Sequence, residues 1–178
     1  TELQWLEQTL VLPFWEGVRL LKEDGYREED GSEPSPFEDL ATRGEIRLGE
    51  IVKRLYGTDY YILDKFPRNA RPFYTLPDQN DERYTNSFDI FLRGQEICTG
   101  GQRIHHAQML EDNISRLHMD ASSLEDYLEG FRLGAPPHAG CGLGLERLVM
   151  LYLNLDDIRL ASLFYRDPKS FPTKPPQT

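Results

Sequence analysis

Asn86-Ser87-Phe88-Asp89-Ile90-Phe91-Leu92-Arg93-Gly94-Gln95-Glu96-Ile97-Cys98-Thr99 sets the architecture of this chain. Residues 86–92 and 96–99 carry the aromatic and β-branched side chains of strands, and Arg93-Gly94 between them has the composition of a turn. A two-residue turn would pair Glu96 with Phe91. Asp89 would then lie two positions away on the same face, within diagonal reach of Glu96. Thr99 is at odd parity to Glu96, so a regular strand would aim the two at opposite faces. Gly100-Gly101 offers a place for a bulge that re-aims the chain.

Upstream, residues 60–66 and 73–76 also read as strands. Residues 45–56 read as an amphipathic helix, with Ile46, Leu48, Ile51, Val52 and Leu55 packing and Gly57 ending it. Leu6, Leu10, Phe14, Val18 and Leu21 recur at roughly helical spacing, with Pro13 interrupting or opening a second segment. Residues 25–36 are a charged, Gly-, Ser- and Pro-containing loop. Downstream, residues 107–117 predict a helix, and Ser122 with Glu125 a capping box for another. Leu145, Leu148, Val149 and Tyr152 mark a closing helix. Strands and helices without regular alternation predict an α+β layer, not a doubly wound sheet. There are no internal repeats.

With 178 residues, 39% hydrophobic and 11% aromatic, the chain is one domain's worth, long enough to bury a core. No apolar run reaches membrane-spanning length and no signal stretch opens the sequence, which predicts a cytoplasmic protein. Cys98 and Cys141 are too few for a disulfide framework. The net charge of −10 argues against a general polyanion binder. Much of the acidity falls in residues 23–50 and reads as a solvated face or loop. Contact with nucleic acid would have to be local, through Lys65, Arg68 and Arg71 or through Arg166 and Lys169, and ordinary surface charge is the preferred reading of both groups.

A second segment points to a ligand. Phe131-Arg132-Leu133-Gly134-Ala135-Pro136-Pro137-His138-Ala139-Gly140-Cys141-Gly142-Leu143-Gly144-Leu145-Glu146-Arg147 places three alternating glycines before a helix start. Such glycines let a ligand approach the main chain, a helix start offers N–H groups to anions, and Arg147 adds a fork suited to phosphate. Many Gly-rich turns before helices bind nothing, however. Neither the dinucleotide fingerprint (Leu145 stands where its third glycine belongs) nor a P-loop is present. Asp89 and Glu96 on one face beside such a site suit Mg²⁺, which prefers oxygen ligands; two strand acids paired with arginines fit the same residues.

Several blocks in order give these segments a family. Gly142-Leu143-Gly144-Leu145-Glu146-Arg147 is similar to motif 3 of class II aminoacyl-tRNA synthetases. Residues 134–147 with Phe131-Arg132, and residues 158–169, resemble the aspartyl enzymes of the archaeal and eukaryotic type. So do residues 60–67, 71–75 and 94–105, and coverage runs from about Leu10 to Pro172.

The resemblance implies an antiparallel β-sheet flanked by helices. It implies Asp89 and Glu96 as ligands of ATP-bound Mg²⁺, and Thr99 and Arg103 as the aspartate-binding pair. Glu96, Gly144, Leu145, Glu146 and Arg147 would bind ATP, with Glu96 and Arg147 catalytic. The implied activity is that of an aminoacyl-tRNA ligase. L-aspartate reacts with ATP to give aspartyl-adenylate, and the aspartyl group then moves to tRNA(Asp). His138 and His105 bear on the site or simply pack. Residues 1–169 would be the C-terminal portion of the catalytic domain, with motif 3 but without motifs 1 and 2. The first ten residues would form the helix that follows motif 2, and residues 170–178 a Pro-rich tail or linker. A parent of this kind is expected to be a homodimer, and the isolated piece inactive. Cys141, His106 and Tyr165 depart from the family, which usually has glycine, aspartate and proline there. A divergent copy is therefore a second reading, such as the synthetase module of a fungal fusion enzyme that supplies aspartyl-tRNA for aspartylation of a sterol. A non-catalytic synthetase-like binding module is a third.

Overall fold

The structure, a computed structural model, describes residues 2–166. Its frame is a five-stranded sheet whose strands lie side by side in chain order. β1 (Leu10–Pro13) and β2 (Tyr60–Asp64) are parallel, and β3 (Ser87–Leu92), β4 (Gln95–Arg103) and β5 (His138–Leu143) continue the sheet antiparallel. The sheet is thus antiparallel from β2 to β5, as expected, with one parallel pair added at the β1 edge. The parallel pair is made possible by a crossover of two helices, α1 (Phe14–Glu23) and α2 (Thr42–Tyr56).

The helical spacing that begins at Leu6 misleads, and Pro13 is the reason. Its ring disfavours helical geometry in Leu12, and pairing with Tyr61 to Leu63 holds Leu10 to Leu12 extended; residues 2–9, expected to be helical, form no helix. The same fixed φ, −61° here, suits the position just outside a helix, and α1 opens at Phe14. α2 ends as expected at Gly57, in the left-handed conformation at φ 71°. Leu48, Ile51 and Val52 are buried from it, whereas Ile46 and Leu55 face out.

One face of the sheet packs on these helices through Leu12, Phe14, Val18, Leu48, Tyr61, Leu63 and Phe91. Each such fully buried apolar side chain contributes about 1.5–3 kcal/mol. The opposite face carries Leu92 and Ile97 against Met150 and Leu151 of α5 (Leu145–Leu153). Of the residues expected to pack, Leu148 does so against this cluster, whereas Leu145 and Tyr152 are exposed. A third cluster joins α3 (Ala107–Arg116) to α4 (Glu125–Arg132) through Leu110, Ile114 and Leu128. α4 has no Ser122 capping box. Asp120 instead accepts from the Ser122 N–H and caps a short 3₁₀ turn, and α4 starts at Glu125 without a side-chain cap. Residues 73–76 are not a strand; they make a single bridge, Thr75 to Arg103, beside β4.

The turn between β3 and β4 is the two-residue Arg93-Gly94, both at positive φ (52° and 73°), as hairpin twist favours. It packs so closely on α2 that a Cβ on Gly49 would stand 2.3 Å from the Gly94 Cα.

Candidate active site

The site is built on β4, and its geometry comes from a bulge. Phe91 pairs with Glu96 as expected, but Ile90 pairs with Cys98, leaving Ile97 as an extra residue. The inserted residue shifts the parity of everything after it. Thr99 therefore pairs directly with Asp89, on the face that also carries Glu96. This resolves the parity conflict, but not through Gly100-Gly101, which pair regularly with Phe88 and Ser87. Bulges disrupt a ladder, and here the freed carbonyls find other donors. Ile97 O accepts from Gly144 N at 2.9 Å, and Glu96 O accepts from Arg147 Nη1 at 2.7 Å. The start of α5 is thereby pinned to the bulge.

Beyond the bulge, Thr99, Gly101 and Arg103 alternate onto the same face, opposite Gly142, Gly140 and His138 of β5. The glycines of the edge strand are what keep this face open. A Cβ on Gly140 would lie 2.9 Å from Arg103 Nη2, and one on Gly142 would meet nothing within 4 Å. Gly144 makes only ordinary contacts at its would-be Cβ and has a negative φ, so protein packing does not demand glycine there. The result is a cavity of about 340 Å³, lined by Arg71, Tyr74, Thr99, Gln102, Arg103 and Gly140 among others. The Arg103 guanidinium lies over the Tyr74 ring, 5.3 Å from its centroid. A permanently charged fork in a small cavity suits bidentate binding of a carboxylate.

Beside the cavity lie Asp89 and Glu96. Asp89 is buried, and its Oδ1 has no hydrogen-bond partner among the described residues. An orphaned carboxylate oxygen next to a second acid fits a hard cation, with its other ligands drawn from phosphate and water. Burial and then the charge of Asp89 push the Glu96 carboxyl up, opposed by Arg147 and Arg71. Glu45, half-buried in the first turn of α2, belongs to the same field. Burial first, then Glu96, Asp39 and Asp89, push it up to about 7.

The structure thus brings Asp89, Glu96, Thr99 and Arg103 together and ties Arg147 to the same strand. Leu145 and Glu146 are exposed, and no hydrogen bond or ion pair joins Glu146 to the site among the described residues. His138 stacks on Phe131, with ring centroids 5.7 Å apart, and its Nδ1 lies 3.0 Å from Pro136 O. His105 lies against His106 with the rings tilted by 40° and centroids 4.1 Å apart, and its Nδ1 is buried without a hydrogen-bond partner among the described residues. Both behave as packed residues. Lys65, Arg68 and Arg71 are not a surface patch: Lys65 binds Asp78 and Asn86, Arg68 binds Asn113, and Arg71 binds Asp89 and Thr99. Lys169 and the proposed tail lie outside the described residues.

Sequence reasoning missed Arg71 and Glu45 as site residues. Arg71 reads in the sequence as surface charge or a local nucleic-acid contact within a family-like block, and Glu45 as an acidic residue opening a helix. Neither is close in sequence to the strands it faces, so no local spacing could have announced them.

A mixed sheet with α5 behind it, α1 and α2 on its front, and beside them an open stretch of that front bearing acids, arginines and glycines defines a class, the synthetase-type catalytic fold. A solved structure described as aspartyl tRNA synthetase from Entamoeba histolytica superposes with a TM-score of 0.87 at 45% identity, covering 96% of this chain and 34% of that one. Asparaginyl-tRNA synthetase from Pyrococcus horikoshii, complexed with asparaginyl-adenylate, superposes with a TM-score of 0.80 at 31% identity, covering 91% and 35%. The family described as tRNA synthetases class II (D, K and N) matches residues 11–168, and the chain belongs to it. It is similar to the cytoplasmic aspartate–tRNA ligase of Caenorhabditis elegans, 51% identical over 166 residues, covering 93% of this chain and 30% of the relative. The human cytoplasmic enzyme is 47% identical over the same length, covering 93% and 32%. The chain therefore spans about 30% of the length of such relatives.

Proposed function

We propose that this chain supplies the amino-acid pocket and the metal–phosphate side of an aspartate-activating site, in a cytoplasmic, homodimeric aspartate–tRNA ligase. The observation that carries the reading is Arg103, held over Tyr74 in a cavity kept open by Gly140 and lined by Thr99, on the strand that carries Glu96 and next to the strand that carries Asp89. The Arg103 fork takes the side-chain carboxylate of L-aspartate; an asparagine amide offers only one acceptor oxygen and no charge. Thr99 holds the amino acid with its α-carboxylate toward Asp89 and Glu96. That carboxylate attacks the α-phosphorus of ATP, the bond to the bridging oxygen breaks, and aspartyl-adenylate and pyrophosphate result. Asp89 and Glu96 would hold Mg²⁺, which would supply positive charge to the phosphates. Arg147, swung off the Glu96 carbonyl, reaches the γ-phosphate, and Gly144 and Leu145 let the adenosine approach the main chain. Transfer of the aspartyl group to tRNA(Asp) follows. The residues act mainly by positioning and charge stabilisation.

Aspartate-dependent ATP–pyrophosphate exchange by the full-length protein, with asparagine as control, tests this. Exchange is expected with aspartate alone. Arg103→Leu and Glu96→Ala are each expected to lower it by about 10²-fold or more, as for loss of a buried charge partner or a transition-state contact. Exchange that survives both substitutions would refute the assignment. No exchange with either amino acid in the folded wild type would leave a binding module.

A further inference from the structure

We propose that Arg71 is a positioning residue that locks the metal-side carboxylate Asp89 and the amino-acid-side hydroxyl Thr99 into one rigid unit; this rests on the reading of the site given above. Arg71 reaches the site from the segment before residues 73–76, far in sequence from both partners. Its side chain is 11% exposed, and its guanidinium carbon lies over the Phe66 ring, 3.8 Å from the centroid. From that seat Nη1 donates to Thr99 Oγ1 at 2.8 Å, and Nη2 stands 2.8 Å from Asp89 Oδ2. Thr99 and Asp89 are direct cross-strand partners, so one planar group spans both members of the pair.

Two consequences follow for the chemistry of these side chains. Because Arg71 holds Oδ2 of Asp89, the carboxylate plane is fixed and Oδ1 is the oxygen left buried without a hydrogen-bond partner. That oxygen is the one available to a cation. Because the Thr99 oxygen accepts from Arg71, its own proton is free to point away and donate. Thr99 is thereby biased toward oxygen acceptors on the bound amino acid. Nε and Nη2 of Arg71 themselves lack aligned acceptors among the described residues, so the group is held by the ring beneath it and by charge. A lysine keeps the charge but, as a point donor, cannot bridge two oxygens in a fixed plane or stack flat on Phe66.

The test is Arg71→Lys in the full-length protein, which keeps the local field and changes only geometry. The Mg²⁺ concentration for half-maximal exchange and the KM for aspartate are both expected to rise about tenfold, with the thermal midpoint little changed. Adding Thr99→Ala to Arg71→Lys should raise the aspartate KM by less than Thr99→Ala does alone, since the two act as a unit. Phe66→Leu, which leaves Arg71 and removes its seat, should move both constants in the same direction by about threefold. It stands in as the deciding variant if the lysine protein does not fold. A fall in kcat with both constants unchanged, or additive effects of Arg71→Lys and Thr99→Ala, would overturn the proposal. Mn²⁺ binding in the presence of ATP, followed by electron paramagnetic resonance, separates this from the activity assignment. If the wild type shows no exchange, a tenfold weaker Mn²⁺ affinity in Arg71→Lys still supports the positioning role, and an unchanged affinity defeats it.

Discussion

Gly140 shows how much a missing side chain can do. Its would-be Cβ falls 2.9 Å from Arg103 Nη2, the far end of a flexible side chain and not backbone. Gly140→Ala should therefore leave the fold standing and move the guanidinium. We expect the thermal midpoint to hold while the aspartate KM rises by about tenfold, equivalent to ~1.4 kcal/mol. Steady-state exchange kinetics beside a melting curve would reveal it; a lowered midpoint at unchanged KM would contradict it. The residues that this scale makes important differ in how they announce themselves. Asp89, Glu96, Thr99 and Arg103 fall in one continuous run, so motif resemblance reaches all of them. Arg71 and Glu45 arrive from other elements, and only the folded sheet shows that they face Asp89 and Glu96.

Among the elements, the contact of α2 with the β3–β4 turn is the tightest constraint. A Cβ at Gly49 would press at 2.3 Å on a backbone carbon that has no rotamer to yield. Gly49→Ala is expected to destabilise the chain by about 1–3 kcal/mol or more, as overpacking of a tight contact does, and urea unfolding would measure it. The hairpin and α2 were legible in the sequence because their signals are local: a two-residue turn with glycine, a helical stripe ended by glycine. What escaped was non-local. The parallel pairing of β1 needs Tyr61 to Leu63 as partner, so a periodicity beginning at Leu6 could not disclose it. The segment that reads as a Gly-rich turn before a helix is in fact the edge strand β5, because strand pairing supplies what its composition lacks. The core stripe of α5 misled in a similar way: Met150 and Leu151 meet Leu92 and Ile97, while Leu145 and Tyr152 meet water.

For the molecule as a whole, the distribution of charge decides how stability responds to pH. Glu45, raised to about 7 by burial and by Glu96, Asp39 and Asp89, holds a proton in the folded state that an unfolded glutamate near 4.5 releases. Stability from this source is fully present below about 4.5 and is lost as pH rises through about 7. Glu96 acts in the same direction. Asp24, held low by Arg54 and Arg47, and Asp78, held low by Lys65, act with the opposite sign, losing their contribution as pH falls below the ordinary aspartate value of 3.8. The thermal midpoint of the chain is therefore expected to decline between pH 5 and pH 7.5, and Glu45→Gln should flatten that decline. An equal slope in the variant would count against Glu45 as its source.

The extra residue at Ile97 carries a further consequence. Because pleated chain alternates sides, that insertion works as a half-period phase shift: everything before it keeps one count, everything after it the other. Loss of one residue between Leu92 and Thr99 would scarcely register in the identity of two aligned sequences. It would nonetheless turn Thr99 and Arg103 to the rear of the sheet, toward α5, and bring Cys98 and Gln102 to the front. The makeup of this face is thus written partly as a count of residues.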